Sequence, residues 1–159
     1  MSSAHQSLSA INPEEIPNAE PFRFGIVVAE WNPEITNALL DGVNQALLNA
    51  GAKKENLIYL KVPGSFELTA GAALLAKDET LNAIICLGCV IQGETRHFDF
   101  ICHAVSQGLT QLIIKHNRPF IFGVLTTENQ EQAIARSGGK YGNKGVEAGI
   151  TAIKMAALY

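Results

Sequence analysis

Short, nearly continuous apolar runs alternate along this chain with longer segments whose apolar positions recur every three or four residues. The runs are FRFGIVVAE at 22–30, LIYLKV at 57–62, AIICLGCVI at 83–91 and PFIFGVLT at 119–126. Each is strand length and rich in β-formers, and AIICLGCVI reads as a central parallel strand covered on both faces. The segments between them read as helices. Pro33 suits the first turn of a helix to about Ala50, with Ile35, Ala38, Leu39, Gly42, Val43, Ala46 and Leu47 on one face and Gly51 ending it. FELTAGAALLAK at 66–77 is a shorter helix after Pro63-Gly64, and a long one runs from about Arg96 to His116. Glu128 to Arg136 is short, and a last helix ends near Leu158 after the turn SGGKYGNKG. This last helix carries Gly145, Ala148, Gly149, Ala152 and Ala156, spacings that admit another helix at close range, within the subunit or across an interface.

Strict strand–helix alternation predicts an α/β fold, a three-layer αβα sandwich around a four-stranded parallel, flavodoxin-like sheet. Open sheets of this kind bind ligands at the carboxyl ends of their strands. Polar and aromatic residues collect at those ends. Glu30, Trp31 and Asn32 follow the first strand, and Ser65, Phe66 and Glu67 follow the second. Gln92, Gly93, Glu94, Thr95 and His97 follow the third, while the fourth contributes Phe122, Thr126, Thr127, Glu128 and Asn129. Aromatics and polar groups meeting at one sheet edge describe a pocket for a flat, polar heterocycle.

Thr95 reads as an N-cap, which puts His97 in the first turn of its helix. The positive end of a helix disfavours a further positive charge and so favours a neutral imidazole that can pass protons. The N–H groups of Glu94 and Thr95 are candidates for an anion; the Glu94 carboxylate would repel one, so contact there must be through backbone. Taken singly, each residue also has an ordinary reading: Trp31 and Phe66 as lid-like core aromatics, Glu67 as a helix-dipole partner, His97 as a surface residue. The glycine-rich segment 136–145 brings Arg136, Lys140 and Lys144 together but lacks the spacing of a Walker A loop. Arg136 could still clamp a phosphate bidentately, with Lys144 acting as a point charge.

Composition narrows the class. A chain of 159 residues suits one domain, residues 21–159, preceded by a proline-containing arm at 1–20. With 47% hydrophobic residues and a mean hydropathy of +0.13, some apolar surface is expected to be covered in an oligomer. A net charge of −3 without a basic stripe argues against a nucleic-acid partner. No apolar run is long enough to span a membrane, and the first twenty residues lack the apolar core of a signal peptide, so the expected compartment is the cytoplasm. Cys86 and Cys89 form a C-x-x-C match, but positions three apart on a strand face opposite sides, so they read as buried thiols. His5 lies in the arm, and neither His103 nor His116 has zinc-like partners; no metal site is expected.

Four ordered motifs carry a resemblance: VPGSFEL at 62–68, GCVIQGETRHFDF at 88–100, FGVLTTENQEQAIAR at 122–136 and GGKYGNKG at 138–145. Together they closely resemble the lumazine synthase family, and the likeness runs from about Phe22 to Leu158. The resemblance implies condensation of 5-amino-6-(D-ribitylamino)uracil with 3,4-dihydroxy-2-butanone 4-phosphate to 6,7-dimethyl-8-ribityllumazine, the penultimate step of riboflavin biosynthesis, without metal or organic cofactor. It implies that Trp31 stacks on the pyrimidine, that Ser65, Phe66 and Glu67 bind its ribityl chain and ring region, and that Cys89, Val90 and Ile91 read its edge through backbone. It implies a phosphate site at the backbone of Glu94 and Thr95, proton transfer by His97, and Phe122, Arg136 and Lys144 supplied by a neighbouring subunit. Gln92 stands where many relatives carry Arg or Lys.

The family assembles as pentamers, some of which build sixty-subunit shells, and some shells enclose riboflavin synthase. The connection between the last two helices is short and lacks the insertion associated with relatives that stop at pentamers, so the resemblance implies the shell. Two other readings compete: an archaeal-type riboflavin synthase, which shares ancestry and assembly, and a flavin- or lumazine-binding shell protein whose catalysis has lapsed.

Overall fold

A computed structural model describes residues 12–159. Residues 1–11 of the expected arm, His5 among them, lie outside the described residues. The main strands are β1 (Phe24–Ala29), β2 (Leu57–Val62), β3 (Ala83–Ile91) and β4 (Phe120–Thr127). The helices are α1 (Pro33–Asn49), α2 (Leu68–Leu75), α3 (His97–His116), α4 (Gln130–Arg136) and α5 (Lys144–Ala156). The sheet is all parallel in the order β2-β1-β3-β4. The first crossover packs outward from the centre and the later ones the other way, so the strand order reverses beside β1 and β3, where α/β sheets form their ligand crevice.

Alternation along the strands sorts their side chains into two cores. Phe24, Ile26 and Val28 of β1, with Ile85, Leu87 and Cys89 of β3, pack with Ile35, Leu39, Val43 and Leu47 of α1 and Ile153 of α5. Val27 and Ala29, with Ile84 and Cys86, pack on the opposite face with Leu68 and Ala72 of α2 and Val105 and Leu109 of α3. The chain is therefore a three-layer α/β sandwich of flavodoxin-like form. Cys86 and Cys89 fall in different cores and are free thiols, as the strand alternation requires.

The small residues of α5 serve contact within the subunit. A Cβ added at Gly145 would run into the Leu39 carbonyl of α1, and one at Gly149 would come within 2.9 Å of the Ala46 methyl. The helices thus approach backbone to backbone.

Two local expectations are corrected. The glycine-rich turn after α4 is a small antiparallel hairpin, β5 (Ser137–Gly139) paired with β6 (Gly142–Asn143). Its glycines supply the reversal, Gly138 and Gly142 standing at φ 124° and 84°. At α3 the helix starts at His97, with Arg96 rather than Thr95 in the N-cap position. The Thr95 hydroxyl still accepts the His97 N–H at 3.4 Å, so it caps from one residue further out.

Before β1, Ala19 is fully buried and its N–H donates to the Ala50 carbonyl at 2.8 Å. Lys53 pairs with Glu20 at 3.2 Å, fastening this entry segment to the end of α1.

Candidate active site

A cavity of about 530 Å³ opens at the carboxyl ends of β1, β2 and β3, lined among others by Trp31, Asn32, Ser65, Phe66, Glu67 and His97. Its backbone is held by continuation of the sheet. The Glu30 N–H donates to the Val62 carbonyl at 2.8 Å, and the Trp31 N–H to the Pro63 carbonyl at 3.1 Å. Trp31 nevertheless leaves 71% of its surface exposed, and Phe66 leaves 57%. Two large aromatics on fixed backbone and bared to solvent are not core; they are faces without a partner in this chain.

Asn32 turns the chain from β1 into α1. It sits in the left-handed region (φ 58°, ψ 57°), and its amide Nδ2 donates to the Cys89 carbonyl at 3.1 Å. Its own carbonyl accepts the Ile35 and Thr36 N–H groups, each at 3.0 Å, and so opens the helix. Asparagine tolerates this conformation better than most residues, and here the amide bond fixes it. Ser65 is buried and also donates to the Cys89 carbonyl, at 3.5 Å. Asn32 is visible in the sequence as a strand-exit residue, but its link to β3 is not.

β3 outruns β1. The last pair between them is Val28 with Leu87, whereas β3 continues through Gly88, Cys89, Val90 and Ile91 with only β4 beside it. On the β1 side the peptide groups of Cys89 and Ile91 therefore have no strand neighbour, the Cys89 carbonyl taking the Asn32 and Ser65 donors instead, and Cys89, Val90 and Ile91 line the cavity. The Cys89 thiol is pushed up to about 11 by burial, and that of Cys86 to about 12, so neither is a thiolate at neutral pH.

Beyond β3, Gly93, Glu94 and Thr95 form an exposed turn, and a Cβ at Gly93 would meet nothing within 4 Å. His97 follows, exposed in the first turn of α3 and lining the same cavity as Trp31. The first-turn N–H groups of α3 point toward this edge, as the amino end of a helix must.

The other predicted residues stand apart. Arg136 lines a second, more polar cavity of about 710 Å³ with Gln92, Thr127, Glu128 and Tyr141. Its Nη1 donates to the Gln132 carbonyl at 3.1 Å, and its guanidinium carbon lies 4.9 Å from the centre of the Tyr141 ring. Phe122 and Lys144 share a third, smaller recess of about 200 Å³. Lys144 Nζ lies 2.6 Å from Glu147 Oε1 in a pair only 14% and 17% exposed. Phe122 does not belong to the strand exit as its sequence neighbourhood suggests: it pairs with Cys86 in the interior of β4, with 37% of its surface open. Within one chain, then, Trp31, Phe66 and His97 come together, while Arg136 and the Phe122–Lys144 pair occupy other faces.

Among the described residues there is no group of three or more His, Cys, Asp and Glu arranged to hold a metal ion. No helix among them is long and apolar enough to cross a membrane.

Residues 21–159 match a family model described as 6,7-dimethyl-8-ribityllumazine synthase. The chain is 60% identical over 157 residues to a 6,7-dimethyl-8-ribityllumazine synthase of Cytophaga hutchinsonii, covering 99% of this chain and 98% of that protein. It is 51% identical over 155 residues to the protein of that name in Parabacteroides distasonis, covering 98% and 97%. Against the corresponding protein of Bacteroides fragilis it is 54% identical over 133 residues, covering 84% and 93%.

Proposed function

The chain belongs to the 6,7-dimethyl-8-ribityllumazine synthase family, and on that premise we propose how its residues divide the work. The enzyme is a transferase of riboflavin biosynthesis that condenses 5-amino-6-(D-ribitylamino)uracil with 3,4-dihydroxy-2-butanone 4-phosphate. The pyrimidine occupies the cavity beside Trp31 and Phe66. The observation that carries this reading is the common lining of that cavity by an exposed indole, the end of β3 at Cys89, Val90 and Ile91 that extends past β1, and the His97 imidazole. The indole supplies a stacking face, and the peptide groups of Cys89, Val90 and Ile91 read the ring edge. Ser65 and Glu67 border the same space and suit the hydroxyls of the ribityl chain.

The second substrate brings a phosphate dianion. The backbone N–H groups of Glu94 and Thr95 hold it at the amino end of α3, and Arg136 grips it from a neighbouring subunit. The 5-amino group then attacks the ketone and loses water to form an imine. A proton leaves the adjacent carbon as the C–O bond to phosphate breaks, and the resulting enol returns to a ketone. Attack by the ribityl-bearing nitrogen, with loss of a second water, closes the ring. Each step moves a proton, and His97 accepts and returns it. Arg136 and the helix end favour phosphate as charge builds on the leaving oxygen. Lys144 enters this scheme as a hydrogen-bond donor more than as a net charge, because Glu147 already balances it. Holding two substrates in register supplies much of the acceleration, and no step asks for a metal or an organic cofactor.

An active site completed by a neighbour requires a homo-oligomer, which we assign as a pentamer that builds the sixty-subunit shell, a container able to enclose riboflavin synthase. Supporting this are the separate faces that Arg136 and Phe122 occupy in one chain and the bare Phe100 and Ile114 side chains on α3. The three free thiols fit work in the reducing cytoplasm. Purified protein given both substrates in metal-free buffer should form a fluorescent lumazine and release one phosphate per product. Absence of product from assembled protein would sink the catalytic assignment, and sedimentation as a monomer would sink the shared site.

A further inference from the structure

Arg136 is held without being neutralised. One guanidinium N–H is used by the Gln132 carbonyl, and among the described residues no carboxylate lies within ion-pair distance of the group. Its other close partner is the Tyr141 ring, 4.9 Å from centroid to guanidinium carbon. The Lys140 ammonium sits 4.7 Å from the centroid of that same ring. Arg136 at the end of α4 and Lys140 in the hairpin turn are like charges, so their convergence on one aromatic needs an attraction to offset their repulsion. The ring quadrupole provides one, of a kind that carries no net negative charge. A carboxylate in Tyr141's place would hold Arg136 as firmly but would cancel its field and compete with an incoming anion. The hairpin turn keeps the ring where it is by a backbone bond alone, from the Tyr141 N–H to the Ala135 carbonyl at 2.9 Å, which any residue but proline would make.

From this geometry we propose that Tyr141 is a positioning residue: it gathers Arg136 and Lys140 onto one ring, presenting two uncancelled cations to the phosphate of the second substrate. This rests on the assignment of Arg136 to that phosphate, and it adds a reason why the guanidinium is already in place before substrate arrives. A side chain fixed in advance loses less freedom on binding. The effect should therefore fall on affinity for the phosphate substrate and spare the pyrimidine.

The test compares Tyr141→Leu and Tyr141→Phe with the parent and with Arg136→Ala, measuring KM for each substrate, kcat and inhibition by inorganic phosphate. Leucine keeps apolar bulk without a ring; phenylalanine keeps the ring without the hydroxyl. Tyr141→Leu should raise the KM for 3,4-dihydroxy-2-butanone 4-phosphate and the inhibition constant of phosphate together, by about threefold to tenfold. The KM for the pyrimidine should stay within about twofold, and Tyr141→Phe should behave as the parent. An unchanged phosphate KM in Tyr141→Leu, or equal loss in Tyr141→Phe, overturns the role of the ring while leaving Arg136 in its own. If Arg136→Ala itself leaves the phosphate KM unchanged, the assignment of Arg136 falls, and the inference with it.

Discussion

Asn32 and Cys89, fifty-seven residues apart in sequence, are joined by a 3.1 Å bond from the asparagine amide to the cysteine carbonyl. Asn32 and Cys89 both line the cavity, and their bond links the end of β1, where Trp31 stands, to the part of β3 that extends past it. It holds Trp31 and the end of β3 on one frame.

Substitution at Asn32 should separate the two things this residue does. Asn32→Gly keeps the left-handed backbone without strain and loses only the amide bond, a cost of about 1 kcal/mol in stability. Asn32→Ala loses the bond and also forces a Cβ-bearing residue without a polar side chain into φ 58°, adding about 1–2 kcal/mol. Both should raise the KM for the pyrimidine substrate, since both cut the tie between the β1 exit that carries Trp31 and the end of β3. Urea denaturation with steady-state kinetics checks this; equal stability of the two variants would show that the conformation at Asn32 is not strained.

His97→Asn retains a polar side chain but cannot cycle a proton. The expected loss is about 10²–10⁴-fold in kcat, with KM for either substrate little changed. A matching rise in both KM values with kcat preserved would reassign His97 to binding.

The buried thiols predict a decline of stability in alkali. Burial raises Cys86 to about 12 and Cys89 to about 11, above the 9.0 of a free thiol. Between those values the unfolded chain has lost protons that the native chain still holds, so unfolding releases protons and rising pH favours it. The contribution is complete below pH 9 and disappears as pH climbs toward 11 for Cys89 and 12 for Cys86. For Cys86 the slope approaches about 1.4 kcal/mol per pH unit. Cys86→Val removes that group at similar volume. Its urea midpoint should therefore fall less than the parent's between pH 8 and pH 10.5; parallel declines would exclude the thiol as a cause.

Gly145→Ala sets a side chain against the Leu39 carbonyl, which belongs to helix backbone and cannot swing aside. The expected destabilisation is about 1–3 kcal/mol, seen as a lower Tm. Gly93→Ala is the contrast, because that position is open: its Tm should move by less than the equivalent of about 0.5 kcal/mol. Similar shifts in the two variants would mean that α5 can back away from α1.

Much of the frame was legible along the chain because its causes are local. Consecutive apolar residues marked β1 to β4 within a residue or two, Pro33 and Gly51 marked the ends of α1, and the motif at 88–100 led to the His97 end of α3. The hairpin at 137–143 was less visible, since three glycines fit a loop as well as two very short strands. Thr95 looked like an N-cap because its type is right; whether the helix opened at 96 or 97 depended on how β3 handed the chain over. Phe122 sat in a motif with exit residues, yet the β3–β4 register put it opposite Cys86.

What the sequence determined by itself, then, was the order of elements, the layers they form and the chemical cast, because periodicity and side-chain type are properties of neighbouring positions. What only the tertiary structure decided was which of that cast share a space. Trp31 and His97 line one cavity because parallel crossovers bring the ends of β1 and β3 side by side, and β3 outruns its neighbour there. Arg136 stands in another, pressed on Tyr141, because the hairpin from Ser137 to Asn143 folds back on the helix that carries it. Such distances are set by register and packing between segments far apart in the chain, and no local pattern encodes them.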